Sequence, residues 1–407
     1  MTEDKADLHW LFLDLDAYFA SVEEQETPSL RGHPLAIIPV QAETTCCIAA
    51  NYPAKAFGIQ TGMNVQEAKM RCPSLRVVLA RQDLYVAYHH RIVEAVNSCL
   101  PIDRLLSIDE MICRLTGSQG HLNAALELAQ QIKRVLSDRV GPYVRASIGL
   151  APNRYLAKVA ADMQKPDGLM VILKKELPQV LFQLPLRKLP GIGEQMEKRL
   201  NDVGISTIKH LCQLSQKEMH ALWRSREGDN FYFWLRGQDT PETAHQRYSI
   251  GHSHVLSPDF RSREKSYEIA KALLAKAARR LREEAYWARG LTLMIQYQND
   301  LVWEGKAKFA ETHHTPVLLK ILAAQWEDVP HGRKPLSVSV TFQPLLSKTT
   351  YTPSLFDDLN QDRLDNVVDA TNVHFGKDVL YEATLLPGRK KVPARISFNR
   401  IPKLSEF

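Results

Sequence analysis

"LFLDLDAYFA", residues 11–20, sets two carboxylates two positions apart at the end of an apolar run. The run from Leu11 to Leu15 reads as a buried strand. A carboxylate inside such a strand is costly unless a cation, a donor network or a metal meets it. Asp16 precedes "AYFASVEEQE", whose pattern is helical, and reads as that helix's N-cap or as a structural acid. Asp14 needs a partner from elsewhere in the chain.

"SIDEM", residues 107–111, is the second place where acids sit among apolar residues, with Asp109 and Glu110 side by side. Together with Asp14 they make three acids at strand ends of one α+β unit, placed to meet at one edge of a sheet. Converging carboxylates repel one another, and divalent cations relieve that repulsion. An all-oxygen ligand set selects hard ions such as Mg²⁺. Two such ions about 3.5–4 Å apart activate an attacking oxygen and stabilise a leaving one. The chemistry this pattern points to is phosphoryl or nucleotidyl transfer. In "NYPAKAFGIQTG", residues 51–62, Tyr52 and Lys55 lie near the start of a helix. In "APNRYLAKVAADMQKPDGL", residues 151–169, Lys158 lies on a helix beside apolar residues. A phenol and two ammonium groups beside such a centre suit a triphosphate. Each lysine alone reads better as solvated surface charge.

The remaining chain sets the frame. Its 407 residues suffice for about two to four domains, and 44% hydrophobic with 24% charged residues is ordinary for a globular protein. A net charge of +6 suits a polyanionic partner. The six cysteines form no C-x-x-C, as expected of free thiols in a reducing cytoplasm. "MTEDKADLHW" lacks the features of a signal peptide. No apolar stretch approaches the roughly 18 residues of a membrane span, so a soluble cytoplasmic protein is expected. Strands and helices mix through residue 175, residues 176–245 are mostly helical, and "GQDTPETAHQR" reads as a linker. A second α+β unit follows. Its long helix, "SYEIAKALLAKAARRLREEAYWA", accompanies the strands "LTLMIQYQN" and "LSVSVTFQPL". In the tail, "QDRLDNVVDATNVHFG" is helical, with Gly376 as its C-cap.

Two elements point to nucleic acid. In "LPGIGEQMEKRLNDVGISTIKHLCQL", residues 189–214, Gly191 and Gly193 bracket one apolar residue in a helix-hairpin-helix pattern. Small residues there let backbone N–H groups approach a phosphate without carrying sequence information. Between Arg261 and Gly290 nine basic residues face four acids, a surplus of five. Arg261 and Arg263, ahead of the helix, are the phosphate candidates; the others read as a solvated helix face.

"DLDAYFASVEEQ", "NYPAKAFGI", "SIDE", "SIGLAPNRYLAKVAADMQKPDGL", "LPGIGEQMEKRL" and "WLRGQD" follow one another as in the Y-family DNA polymerases, translesion enzymes of the polymerase IV and UmuC type. The resemblance covers residues 9 to about 345; the tail, with "ARISFNRIPKL", looks more like UmuC-type members. It implies an α+β multidomain right hand. A ferredoxin-like palm would comprise residues 1–17 and 86–175, with small fingers at 18–85. A helical thumb with the helix-hairpin-helix would span 176–243, and a linker 244–249. An α+β little finger would span 250–345, and a C-terminal tail 346–407. Asp14, Asp109 and Glu110 would hold two Mg²⁺, replaceable by Mn²⁺, with the Leu15 carbonyl as a further ligand. Backbone N–H groups of Tyr18 and Phe19, with Tyr52, Lys55 and Lys158, would bind the dNTP. Phe19 would be the steric gate against a ribose 2′-OH, and Cys46 and Ile48 would roof the base pair.

Two positions depart from the family pattern. Lys55 stands where Arg is usual, exchanging a bidentate contact for a point charge. Ala49 stands where Thr is frequent, removing one hydrogen bond worth about 0.5–1.5 kcal/mol. Both predict weaker nucleotide binding with the chemistry retained. Leu355-Phe356 in "TPSLFDD" resembles the end of a sliding-clamp peptide without its leading Gln. The expected partners are primer–template DNA and dNTPs, with the sliding clamp through that segment, no membrane, and a monomeric chain near a bacterial nucleoid. No proofreading is expected. The alternatives are a non-catalytic DNA- or clamp-binding scaffold, which the three acids argue against, and a nucleotide cyclase, which leaves the helix-hairpin-helix unexplained.

Overall fold

The computed structural model describes residues 7–43, 45–241, 247–297, 301–351, 359–376, 379–388, 396, 401–402 and 404. These fall into two compact units, the first chiefly within residues 7–241 and the second within 247–388.

The first unit begins with β1 (Trp10–Leu15), α1 (Tyr18–Glu26), β2 (Leu35–Ile38), β3 (Ala49–Ala50) and α2 (Tyr52–Ala56). It continues with α3 (Val65–Arg71), β4 (Arg76–Leu79), α4 (Gln82–Asn97), β5 (Ile102–Leu105) and β6 (Glu110–Arg114). α5 (Leu122–Arg139), β7 (Ala146–Ala151), α6 (Arg154–Met163) and β8 (Leu169–Val171) complete the mixed part. Its main sheet has the order β5-β6-β1-β7-β8, with β1 antiparallel to both neighbours. β1 is buried on both faces, which is why it reads as an unbroken apolar run. Leu11, Leu13 and Leu15 pack into one core with α4 and α5, while Trp10 and Phe12 pack with α6. Strand alternation therefore sends Asp14 to the α6 face, one step beyond Phe12. A small sheet, β3-β2-β4, has its own core around Ala36, Ile59 and Val65.

Four short helices follow: α7 (Glu194–Asp202), α8 (Ile208–Gln213), α9 (Gln216–Trp223) and α10 (Arg226–Trp234). Thr207, Ser215 and Ser225 cap three of them through their hydroxyls. Phe231 lies fully buried among Tyr155, Trp223 and Trp234. The segment before the glycine turn is a three-residue 3-10 helix, Leu186–Lys188, rather than a full helix.

The second unit contains β9 (Ile250–Val255), α11 (Arg263–Glu283), β10 (Tyr286–Tyr297), β11 (Val302–Thr312) and α12 (Thr315–Glu327). β12 (Pro335–Phe342), β13 (Leu345–Ser347) and α13 (Leu359–Phe375) follow. Its antiparallel sheet has the order β11-β10-β12-β9, and α11 and α12 share its apolar core. The long helix starts and stops earlier than its sequence pattern suggests. It ends at Glu283, Ala285 turns the chain at φ 55°, and Tyr286–Ala288 pair with β13. Strand pairing overrides the helical propensity of "EEAYWA". Gly376, at φ 109°, directly follows α13, as its C-cap pattern predicts.

Asp16 is not the cap of α1. The N-cap position is Ala17, left-handed at φ 49°, and no side chain caps the helix. That turn points the Asp16 carboxylate inward, where it accepts from Ser147 Oγ at 3.0 Å, Tyr52 Oη at 3.0 Å and the Asp167 N–H at 2.7 Å. Asp16 is the structural acid that joins β1, β7, α2 and the turn before β8. No helix among the described residues is long and apolar enough to cross a membrane.

Candidate active site

Asp14 and Glu110 are direct register partners on β1 and β6, and the Leu15 N–H donates to the Asp109 carbonyl at 2.9 Å. Ser107 organises the turn into β6: its hydroxyl donates to the Asp109 carboxylate and accepts from the Glu110 N–H at 2.9 Å. From below, His89 Nδ1 of α4 holds the Ile108 carbonyl at 2.7 Å. The three acids named from sequence thus meet at one end of the sheet.

Two lysines answer them. Lys165 Nζ lies 2.7 Å from Asp14 and 2.7 Å from Asp162, and Lys158 Nζ lies 2.8 Å from Glu110. Burial pushes the Asp14 carboxyl up to about 7, Lys165 opposes this, and the charges of Glu110 and Asp109 add to it. Burial also works against the Lys165 ammonium, yet Asp14 and Asp162 outweigh it and hold its pKa above the ordinary lysine value. Lys165 therefore stays charged and only partly neutralises a site with three carboxylates. An all-oxygen donor set with Asp14 under such strain fits a hard divalent cation.

Asp14 and Asp109 open onto a cleft of about 250 Å³ that Lys55, Lys165, Tyr52 and Phe19 also line. Lys55 Nζ sits 4.4 Å over the Tyr52 ring, and burial followed by the charge of Lys165 lowers its pKa. Tyr18 and Phe19 point different ways. The Tyr18 hydroxyl donates to the Tyr85 carbonyl at 2.6 Å, while the Phe19 ring stacks on Tyr85 at 4.5 Å and 15°. Tyr85 is itself held by its hydroxyl bond to the buried Glu23 at 2.8 Å, and Arg81 pairs with the same carboxylate.

The other residues named from sequence divide between the cleft and places outside it. Leu15, Tyr18, Ile48 and Ala49 line the cleft, whereas Cys46 does not and instead pairs through its backbone with Asn64. Lys158 is likewise outside the lining, beside the Phe12 ring at 5.5 Å, and Lys165 occupies the place expected of it. Lys165 follows Lys158 in the same quoted segment, but no periodicity marks it. Gly191, at φ 92°, sits where a Cβ would come within 3.2 Å of Phe231; Gly193, the N-cap of α7, faces open space. Both are exposed, as a backbone approach to a phosphate requires. Arg261 Nε donates to the Leu256 carbonyl at 3.1 Å, and Arg263 donates to the Trp326 carbonyl at 2.7 Å from the first turn of α11. Leu355 and Phe356 lie outside the described residues.

Residues 13–162 match the impB/mucB/samB family, residues 187–239 the DNA polymerase-iota thumb domain, and residues 247–354 the impB/mucB/samB family C-terminal domain. DNA polymerase IV of Moorella thermoacetica is 31% identical over 397 residues, covering 94% of this chain and 97% of that protein. DNA polymerase IV of Halorhodospira halophila is 32% identical over 289 residues, covering 70% of this chain and 80% of that protein. A Y-family DNA polymerase chimera matches the fold with a TM-score of 0.71 at 24% identity, over 84% of this chain and all of that one. DinB from Sulfolobus solfataricus matches with a TM-score of 0.53 at the same identity, over 84% of this chain and 100% of its own. The structural likeness establishes a right-hand polymerase fold. The sequence likeness goes further: this chain belongs to the Y-family DNA polymerases. It is a DNA-directed DNA polymerase of translesion synthesis and depends on a divalent metal; the scaffold reading is not favoured.

Proposed function

We propose that the cleft joins an incoming dNTP to a DNA primer with two Mg²⁺ ions held by Asp14, Asp109, Glu110 and the Leu15 carbonyl, Mn²⁺ being able to substitute. When bound, such ions activate the primer oxygen and stabilise the leaving phosphate oxygen. Tyr52, Lys55 and Lys165 take the triphosphate together with the Tyr18 and Phe19 N–H groups. Lys158 instead holds Glu110 in place. The Phe19 ring, fixed on Tyr85, closes the space of a ribose 2′-OH, and Ile48 with Ala49 roofs the base pair without bulk. In this reading residues 1–17 and 86–175 are the palm, 18–85 the fingers, 176–243 the thumb and 250–345 the little finger. Gly191 and Gly193 approach the duplex backbone. Clamp binding through Leu355-Phe356, a monomeric state, residence at a bacterial nucleoid and the lack of proofreading belong to the same proposal. The observation that carries it is the meeting of Asp14, Asp109 and Glu110 at one end of the sheet, where Asp14 and Asp109 line a cleft that Lys55 and Lys165 also line.

Asp109→Ala tests it. Primer extension in Mg²⁺ falls by at least about 10³-fold, while primer–template affinity changes by less than about twofold. Persistent extension would remove Asp109 from the chemistry.

A further inference from the structure

The second unit carries a cluster that nucleotidyl transfer does not use. β11 ends at Thr312, so His313 and His314 sit at the entry to α12, while Asp362 and Asp365 lie one turn apart on α13. His313 Nε2 is 3.0 Å from Asp362 Oδ1, and His314 Nε2 is 3.7 Å from the same oxygen. One ligand atom from each of these three residues falls within 4.8 Å of the others.

His314 supplies the decisive detail. Its Nδ1 lies 2.7 Å from Asp365, a carboxylate whose side chain is only 8% exposed. With Nδ1 turned to that buried acid, Nε2 is the ring's remaining ligand atom, and it faces Asp362 Oδ1. A carboxylate facing Nε2 at 3.7 Å is matched by a proton on that nitrogen or by a metal ion between the two atoms. With metal–ligand bonds of about 2.0–2.1 Å, ligand atoms in a tetrahedral site stand roughly 3.3 Å apart. The two measured separations bracket that value. A carboxylate on the far nitrogen is also how metal-binding imidazoles are oriented.

The surroundings agree. Trp287 lies tilted against the His313 ring at 4.8 Å, with Tyr351 stacked on Trp287 at 4.2 Å. Arg282 and Arg279 also face α13, but Asp369 meets both, at 2.6 Å and 4.0 Å. Asp362 and Asp365 meet the two imidazoles. The Asp362 side chain is 43% exposed, which leaves a route for an ion and a place for water.

We propose that His313, His314 and Asp362 bind a borderline divalent cation of the zinc class, with Asp365 orienting His314 and water completing the shell, so that the ion ties α13 to the end of β11. Two imidazoles favour such an ion, whereas the all-oxygen palm set favours Mg²⁺. The two sites thus take different metals, and this one stands whether or not the palm reading does.

The test is a zinc titration of the chelator-treated full chain by calorimetry, with excess Mg²⁺ present to occupy the palm acids. The expected result is one zinc equivalent in the wild type that Asp362→Asn and His314→Gln each weaken by at least about tenfold. Asp365→Asn, which touches no metal, weakens it about 10- to 100-fold. Co²⁺ in place of zinc gives the visible absorption of a four-coordinate site, lost in Asp362→Asn. Circular dichroism confirms that each variant is folded. Equal zinc binding by wild type and Asp362→Asn would overturn the proposal. So would protection of α13 from proteolysis that follows pH and ignores zinc, because a protonated His314 would then bridge the two carboxylates.

Discussion

The acidic cleft of the first unit and helix α11 of the second both concentrate charge, but they neutralise it in opposite ways. Around α11 the cations are matched inside the second unit. Arg280 pairs with Glu284 and Lys271 with Glu268, while Arg282 meets Asp369, the His313 carbonyl and Thr315. In the cleft, Asp14 and Asp109 face an open space with Glu110 beside Asp14 on the neighbouring strand, and Lys165 serves Asp14 and Asp162 at once. Charges matched within the chain hold the fold. Charges left short of partners, at the mouth of a cleft, mark where ligands supply the balance.

The contrast can be broken at either end. Arg282 is 10% exposed and makes bonds to three groups, so Arg282→Ala should lower the unfolding free energy by about 3 kcal/mol. The same variant leaves the rate of single-nucleotide incorporation within about twofold, measured by rapid quench. A large loss of rate with unchanged stability would put α11 in the reaction. In the cleft the order reverses. Lys165→Ala should raise the dNTP KM about 10-fold or more, the worth of a lost charged hydrogen bond, while Lys158→Ala acts mainly on kcat through Glu110. The opposite pattern would return the triphosphate to Lys158.

A smaller effect concerns the support beneath the acids. Burial lowers the His89 pKa below its ordinary 6.5, against the pull of the Ile108 carbonyl. Below pH 6.5 the unfolded chain therefore binds more protons at this residue than the folded one. His89 thus costs stability as pH falls through 6.5 toward its folded pKa, by up to about 1.4 kcal/mol per unit of pH. Denaturant unfolding of His89→Gln between pH 7.5 and 5 should show a shallower acid-side decline than the wild type. Parallel curves would mean that His89 does not carry this dependence.

Much of the acidic cleft was legible because its signals are local. Asp14 in an apolar strand and Asp109-Glu110 after Ile108 are anomalies visible in a few residues, and the alternation of β1 places them. Lys165 was not legible, since its value depends on the turn after α6 bringing it back to β1. Asp16 looked like a cap because the pattern "DAYFAS" cannot reveal that Ala17 is left-handed. The basic surplus of α11 overstated free positive charge because Asp369, the partner of Arg282 and Arg279, lies 87 residues from the first and farther still from the second. The early start of β10 and the presence of β9 and β11 depend on pairing within the sheet, which no short window contains.

The central claim is that Asp14, Asp109 and Glu110 form one metal-dependent nucleotide site. Electron paramagnetic resonance of Mn²⁺ titrated into the full chain with primer–template and a non-reactive dNTP analogue tests it directly. The wild type should bind two more Mn²⁺ ions with the nucleotide than without it, and Asp14→Asn should lose that gain. An unchanged count in Asp14→Asn would contradict the account.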